Sequence, residues 1–236
     1  MERDLNNLVE KLQRAFGERL TSVVLYGSAA VGDHQARFSD YNILCVLSKV
    51  TPLELGEAEP VFHWWRKRGN PSPLLMSESE VHGSTDCFAI EFHDIKERNR
   101  LLAGRDVVGE LVLDNSFYRA QVEYELRAKL LRLRQKAAGV LSDRNLLLRL
   151  LADSVSTFCV LFRHALLLSG VEAKFAKREV IGQAREAFAL DAEPFVTLLD
   201  LRGGQRKPRE VDPLPLFARY MEQIQIVVDA IDRLEK

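Results

Sequence analysis

The sequence predicts an α/β domain over residues 1–113 followed by an all-helical bundle over residues 114–236. Three observations carry that prediction. Short apolar runs rich in β-formers, SVVLYG (22–27) and YNILCVL (41–47), alternate with amphipathic segments in the first half. From about Asp114 onward the apolar spacing becomes helical throughout. The chain of 236 residues is long enough for one large domain or two small ones, and 47% hydrophobic with 28% charged residues is the make-up of a globular protein with a buried core. Wholesale disorder, a collagen-like chain and a disulfide scaffold are excluded by the same figures.

The elements follow in order. Leu5, Leu8, Val9, Leu12 and Phe16 share one face of a helix over 4–16. The runs at 22–27 and 41–47 read as strands buried on both faces, as in a sheet covered by helices. Thr51 fits the N-cap and Pro52 the first position of a helix running to about Arg68, on which Trp64 and Trp65 are expected to pack against the sheet. GNPSP is a loop. PLLMS (73–77) and CFAIEF (87–92) read as two further strands, and IKERNRLLAG as a helix with Gly104 as its C-cap. In the second half, Asn115 or Ser116 caps a long amphipathic helix. Asp143 precedes a helix apolar nearly all round and therefore central, and shorter helices fit KREVIGQAREAF and EPFVTLLDLR. A last helix runs from about Leu216 to Leu234. The basic clusters KREVIGQAR and GGQRKPRE read as solvated surface.

Charge and cysteine usage narrow the class. With 33 Lys and Arg against 34 Asp and Glu, the net charge is −1, so bulk electrostatic binding of nucleic acid is not expected. Cys45, Cys87 and Cys159 lie in apolar runs without zinc-ligand spacing and read as buried free thiols of a reducing cytosol. The N-terminus has helical periodicity and lacks the apolar region of a signal peptide, so a cytoplasmic protein is expected. Leu146 to Leu168 comes close to membrane length, but Arg149, Asp153, Arg163 and His164 interrupt it, which favours a bundle helix. Asp153 is expected to pair with Arg127, Arg149 or Arg163, since burying it alone is costly. An apolar bundle of this kind can also bury a face in a homodimer.

The segment that carries chemistry is VVLYGSAAVGDHQARFSDYNILCVL. A strand runs into Gly27-Ser28, where glycine permits close backbone approach, serine offers a hydroxyl, and a following helical turn presents unpaired N–H groups, together a cradle for phosphate. Asp40 and Asn42, two apart on the neighbouring strand, point to one face beside that cradle. Oxygen ligands next to a polyphosphate suit Mg²⁺. Glu91 sits in the apolar run FAIEF with His93 on the same face, and an ionised carboxylate there needs a partner, a metal or a task. Its structural alternative is an ion pair with Arg119 or Arg127; Asp86 and Asp94 are rivals at strand ends. Asp40 has an alternative as a turn or cap residue after Ser39, and His93 reads as a satisfied, half-buried histidine.

This pattern resembles the DNA polymerase beta-like nucleotidyltransferase superfamily, and within it the bacterial antibiotic (kanamycin and streptomycin) and minimal nucleotidyltransferases. The likeness is specific over residues 21–48, weaker at Glu91, and architectural in the helical half. It implies a mixed-sheet catalytic domain, a helical bundle after it and a cleft between them. It assigns the triphosphate to Gly27 and Ser28, the first Mg²⁺ ligand to Asp40, and the third carboxylate to Glu91, as base or metal ligand. Two metals would clamp the attacking and leaving oxygens. In antibiotic-modifying relatives the start of the first bundle helix contacts the acceptor, which makes Glu123 a candidate there, although Arg119, Glu123 and Arg127 also form an ordinary charged stripe.

Two positions depart from the family pattern. Asn42 replaces the second metal-binding carboxylate, giving Asp-Tyr-Asn, and Val31 stands where an Arg is frequent, leaving Arg37 or Lys49 as substitutes. The resemblance therefore implies a protein that binds a nucleoside triphosphate, ATP foremost, with Mg²⁺ and transfers a nucleotidyl group to a hydroxyl of an unidentified acceptor. The alternative is a catalytically impaired nucleotide-binding or protein-interaction module, including an arrangement like that of toxin–antitoxin pairs.

Overall fold

The computed structural model describes residues 2–31 and 41–234. Its chain falls into two compact units, residues 1–117 and 118–236.

In the first unit, helix α1 (Glu2–Phe16) leads through a short turn into β1 (Leu20–Tyr26). After the Gly27 corner come β2 (Asn42–Leu47), α2 (Pro52–Arg66), β3 (Leu74–Ser77), α3 (Glu78–Gly83), α4 (Ala89–Glu97) and β4 (Asn99–Gly104). The strands form one mixed sheet in the order β3-β2-β1-β4: β1 is antiparallel to β2 and to β4, and β2 is parallel to β3. The two central strands are buried on both faces, as their unbroken apolar runs predict. Val23, Leu25, Ile43, Cys45 and Leu47 pack against Leu5, Leu8, Leu12 and Phe16 of α1 and Ala58, Val61 and Trp65 of α2. Val24, Leu44 and Val46 face the other way, against Val81 of α3, Phe92 and Ile95 of α4, and Val107, Val108 and Leu111.

The predicted order of strand and helix over 87–104 is reversed. CFAIEF does not form a strand; Ala89, Ile90, Phe92 and Ile95 are instead the buried stripe of α4. A short apolar run satisfies either period, and the face left open by Val24, Leu44 and Val46 is covered by a helix. The expected helix over IKERNRLLAG gives way to β4, an edge strand on β1. A bulge opposite Val23 and Val24 leaves Leu102 as an extra residue, so Leu102 and Ala103 both pack toward the α1 side. Gly104 is not a helix C-cap. It ends β4 at φ +82°, where an added Cβ would run into the Thr21 carbonyl oxygen. Helix α3 was not anticipated, although Ser77-Glu78-Ser79-Glu80 carries the signature of a capping box, and the Ser77 and Glu80 side chains do cap each other's backbone N–H.

Trp65 is fully buried against the sheet, and Trp64 lies partly exposed between the Lys11 ammonium and the Arg68 guanidinium. Burial pushes the Cys45 thiol up to about 12; Cys87, in contrast to expectation, is exposed.

The second unit consists of α5 (Tyr118–Ala138), α6 (Arg144–Leu168), α7 (Lys177–Phe188), α8 (Glu193–Gly203) and α9 (Pro213–Asp232). Helix α6 is central, packed on by the other four. The Asp143 carboxylate caps it, accepting from the N–H groups of Asn145 and Leu146 at 3.0 and 2.9 Å. Phe158 and Phe162 of α6, Phe195 of α8 and Tyr220 of α9 form an aromatic cluster with centroids 5.1–6.4 Å apart. With 25 residues and a mean hydropathy of 1.5 in its most apolar stretch, α6 has the length and composition of a membrane span. It is not buried all round: Leu146, Arg149, Asp153 and Val160 lie on an exposed stripe. Asp153 pairs with Arg149 at 3.9 Å, one of its expected partners, but it is 70% exposed, so the pair is a surface one and no buried charge arises. The buried polar residues of α6 are instead Arg163, stacked 3.8 Å above the Phe175 ring centroid, and His164, bonded through Nδ1 to the Tyr118 hydroxyl at 2.7 Å.

Candidate functional site

The site is built on the end of β1. Tyr26, its last residue, pairs with Asn42 at the start of β2 and with Asn99 at the start of β4. The chain then turns sharply at Gly27, whose φ of +81° is the left-handed conformation that favours glycine. Its N–H donates to the Arg98 carbonyl at 2.9 Å, and its carbonyl accepts from the Ala30 N–H at 3.1 Å. Ser28 opens a short 3₁₀ turn over Ser28–Val31, anchored by the buried Ala29. The sequence expectation of a strand running into a Gly-Ser corner and then a helical turn thus matches the local backbone.

Asn42 is half-buried, on the strand face opposite to that of Ile43 and Cys45. An atom of its amide lies 3.3 Å from the point where a Cβ on Gly27 would stand; apart from the chain neighbours Tyr26 and Ser28, no other described residue comes within 4 Å of that point. The corner at Gly27 is thus flanked by the Asn42 amide. Asp40, together with Arg37, lies outside the described residues.

Glu91 reaches the same region from a different element than expected. It is exposed, in the first turn of α4, and being helical it no longer shares a face with His93, two residues on. Its position is revealed by Tyr26: burial pushes the Tyr26 hydroxyl above its usual range, and the charges of Glu91 and then Asp94 push it the same way. Both α4 carboxylates thus lie within electrostatic reach of the residue next to Gly27. Arg119 and Arg127, the ion-pair alternatives considered for Glu91, bind Glu123 at 2.9 and 2.8 Å. His93, half-buried, is bonded through Nε2 to the Asn115 amide oxygen at 2.8 Å, as a structural histidine would be. Tyr26 was overlooked in the sequence, although its place immediately before Gly27-Ser28 puts it beside any ligand of the corner.

Glu123 belongs to α5 of the second unit. Arg127, and after it Arg119, hold its carboxyl below the usual range, and Arg127 also reaches Asp232 at 3.4 Å. The carboxylate is therefore half of a network that fixes α5 to α9 as well as a candidate acceptor contact.

The family resemblance implies a Mg²⁺ pair. Asn42 supplies a neutral amide beside the corner, Glu91 and Asp94 gather around Tyr26, and among the described residues no three His, Cys, Asp or Glu side chains cluster as a metal site. The described residues form no such centre, and Asp40, the first ligand the resemblance assigns, lies outside them.

No protein-family model matches the chain, and no curated protein matches it. Among solved structures, the fold is similar to that of spectinomycin adenyltransferase AAD(9) from Enterococcus faecialis, determined with ATP and spectinomycin. The TM-score is 0.56 at 14% identity, over 98% of this chain and 99% of that one. At that identity the likeness is one of fold, which in this chain is an α/β unit with a mixed four-stranded sheet followed by a helical unit.

Proposed function

We propose that this protein binds a nucleoside triphosphate, ATP foremost, at the Gly27–Ser28 corner and transfers its nucleotidyl group to a hydroxyl of a small-molecule acceptor. The observation that carries the reading is the corner itself: a glycine with left-handed φ, a serine after it and a polar strand residue beside it, in the fold of an adenyltransferase determined with ATP. Gly27 and Ser28 hold the phosphate chain, Asp40 is the cation ligand assigned by the resemblance, and Asn42 follows it two residues on in the motif. Glu91 takes the proton of the acceptor hydroxyl. The freed oxygen bonds to the α-phosphorus, the bond from that phosphorus to its bridging oxygen breaks, and pyrophosphate leaves. The cytoplasm is the proposed compartment.

A second reading is favoured by Asn42 and Val31: a nucleotide-binding or protein-interaction module that has lost transfer. Thermal unfolding with ATP or GTP tests the shared premise. Ligand at a hundredfold its Kd stabilises by about 2.7 kcal/mol, roughly 5–10 °C for a chain of this size. That shift is expected in the parent and is expected to shrink in Ser28→Ala. Transfer of α-labelled nucleotide to hydroxyl acceptors then separates the readings: labelled product supports the enzyme, and a thermal shift without product supports the module. Absence of any shift overturns both nucleotide-based readings.

A further inference from the structure

We propose that the groove between α5 and α6 of the helical unit binds the phosphate backbone of double-stranded nucleic acid without reading its sequence. The inference does not rest on the nucleotide-binding reading above.

The chain concentrates positive charge at this groove. Between Glu125 and Asp143 it carries Arg127, Lys129, Arg132, Arg134 and Lys136 and no carboxylate. Lys129, Arg132 and Lys136 recur at helical spacing on one flank of α5, and all three line a groove whose other wall includes Asp153 and Thr157 of α6. Two more cations reach α6 from its opposite flank. The Lys177 ammonium of α7 donates to the Ser156 hydroxyl at 2.9 Å, and the Arg202 guanidinium of α8 donates to the Ala152 carbonyl at 3.4 Å. Ser156 adjoins Thr157 and Ala152 adjoins Asp153, so the exposed ridge of α6 runs between the two sets of cations.

Carboxylates offset only part of this charge. Glu125 pairs with Lys129 at 3.0 Å and Asp153 with Arg149 at 3.9 Å, whereas Arg132, Lys136, Lys177 and Arg202 have no carboxylate partner among the described residues. The position of Lys177 is unfavourable in the free protein. It is the first residue of α7, where the helix dipole disfavours a cation, and burial and then the charge of Arg202 lower its pKa. A phosphate beside Lys177 and Arg202 would offset that cost.

The extent of the set selects the ligand. Lys129 to Lys136 covers about 10 Å along α5, and Lys177 and Arg202 lie across α6, so one compact anion meets only part of the charge. A duplex presents a phosphate about every 3.4 Å along each strand. Single strands are held by stacking on exposed aromatic rings, but Phe158, the aromatic residue lining this groove, is buried. What remains is ammonium, guanidinium and hydroxyl donors, which grip phosphate and carry no base readout. The net charge of −1 gives the whole chain no long-range attraction for a polyanion, so binding is local and sensitive to salt.

The test is fluorescence anisotropy of labelled DNA and RNA duplexes, titrated with the full chain from about 50 to 200 mM salt. The parent is expected to bind at the low-salt end, with a slope of log K against log salt of about −3.6, for roughly four phosphates met by Arg132, Lys136, Lys177 and Arg202. The double variants Arg132→Gln/Lys136→Gln and Lys177→Gln/Arg202→Gln are each expected to weaken low-salt binding about tenfold or more and to make the slope shallower by about 1.8. Arg66→Gln/Lys67→Gln, exposed cations of the first unit, is expected to change neither. Melting curves show which variants fold, and failure of one pair leaves the other to decide. Absence of duplex binding by the parent at low salt overturns the inference, as does a slope that folded groove variants leave unchanged. Tighter binding of a single strand of equal length, or equal binding of polyglutamate, overturns the assignment to a duplex. A preference between the two duplexes supports the groove and identifies its nucleic acid.

Discussion

Glu54 has no exposed side-chain surface, and the fold satisfies its charge completely. The carboxylate accepts from the Thr51 hydroxyl and, at 3.0 Å, from the Thr51 N–H, closing the capping box of α2, while Arg19 donates to it at 2.8 Å. The Thr51 hydroxyl is the largest influence and the Arg19 guanidinium reinforces it, and together they lower the Glu54 carboxyl to about 2 from an ordinary 4.5. A lowered folded-state value means the unfolded chain takes up the proton first. Stabilisation by Glu54 is therefore complete above pH 4.5 and fades as pH falls toward 2. Melting temperatures of parent and Glu54→Gln across that range are expected to differ most at neutral pH and to converge near pH 2; a constant difference would contradict the assignment. The Thr51-Pro52 start of α2 is written plainly in the sequence. Its link to Arg19, 35 residues away, is not.

At the scale of elements, agreement between sequence and structure is good where a segment has a single option. Helix α1 keeps the face Leu5, Leu8, Leu12 and Phe16, and β1 and β2 are the twice-buried strands their runs predict. The disagreement lies in residues 87–104, where short apolar runs fit both periods and the choice is made by what they cover. Helix α4 closes over Val24, Leu44 and Val46, and β4 takes the free edge of β1. Gly104 reports on that edge. In Gly104→Ala the methyl group meets the Thr21 carbonyl at a φ of +82°, so β4 must shift on β1. A loss of about 1–3 kcal/mol is expected in urea unfolding, whereas a helix C-cap exposed to solvent would lose about 1 kcal/mol or less. The rearrangement also changes the candidate site, because Glu91 approaches Tyr26 from a helix and not from a neighbouring strand.

For the whole molecule, each unit owns its core. The first buries two apolar layers on either side of its sheet, and the second wraps four helices around α6 with Phe158, Phe162, Phe195 and Tyr220 at its centre. Residues 118–236 expressed alone are therefore expected to give a helical circular-dichroism spectrum and a cooperative thermal transition. A spectrum of unfolded chain would show that this core is insufficient by itself. The sequence alone determined the α/β-then-α organisation, the two central strands, the start of α2 and the Gly27-Ser28 corner, because periodicity, capping chemistry and glycine's backbone freedom are local properties of the chain. Only the tertiary structure decided that 89–97 is a helix and 99–104 an edge strand, that Asp153 faces solvent, that the Asn42 amide borders Gly27, and that Glu91 and Asp94 act on Tyr26. Those outcomes depend on which surface is left to cover and which strand edge is left to pair, and both arise only when segments distant in sequence meet.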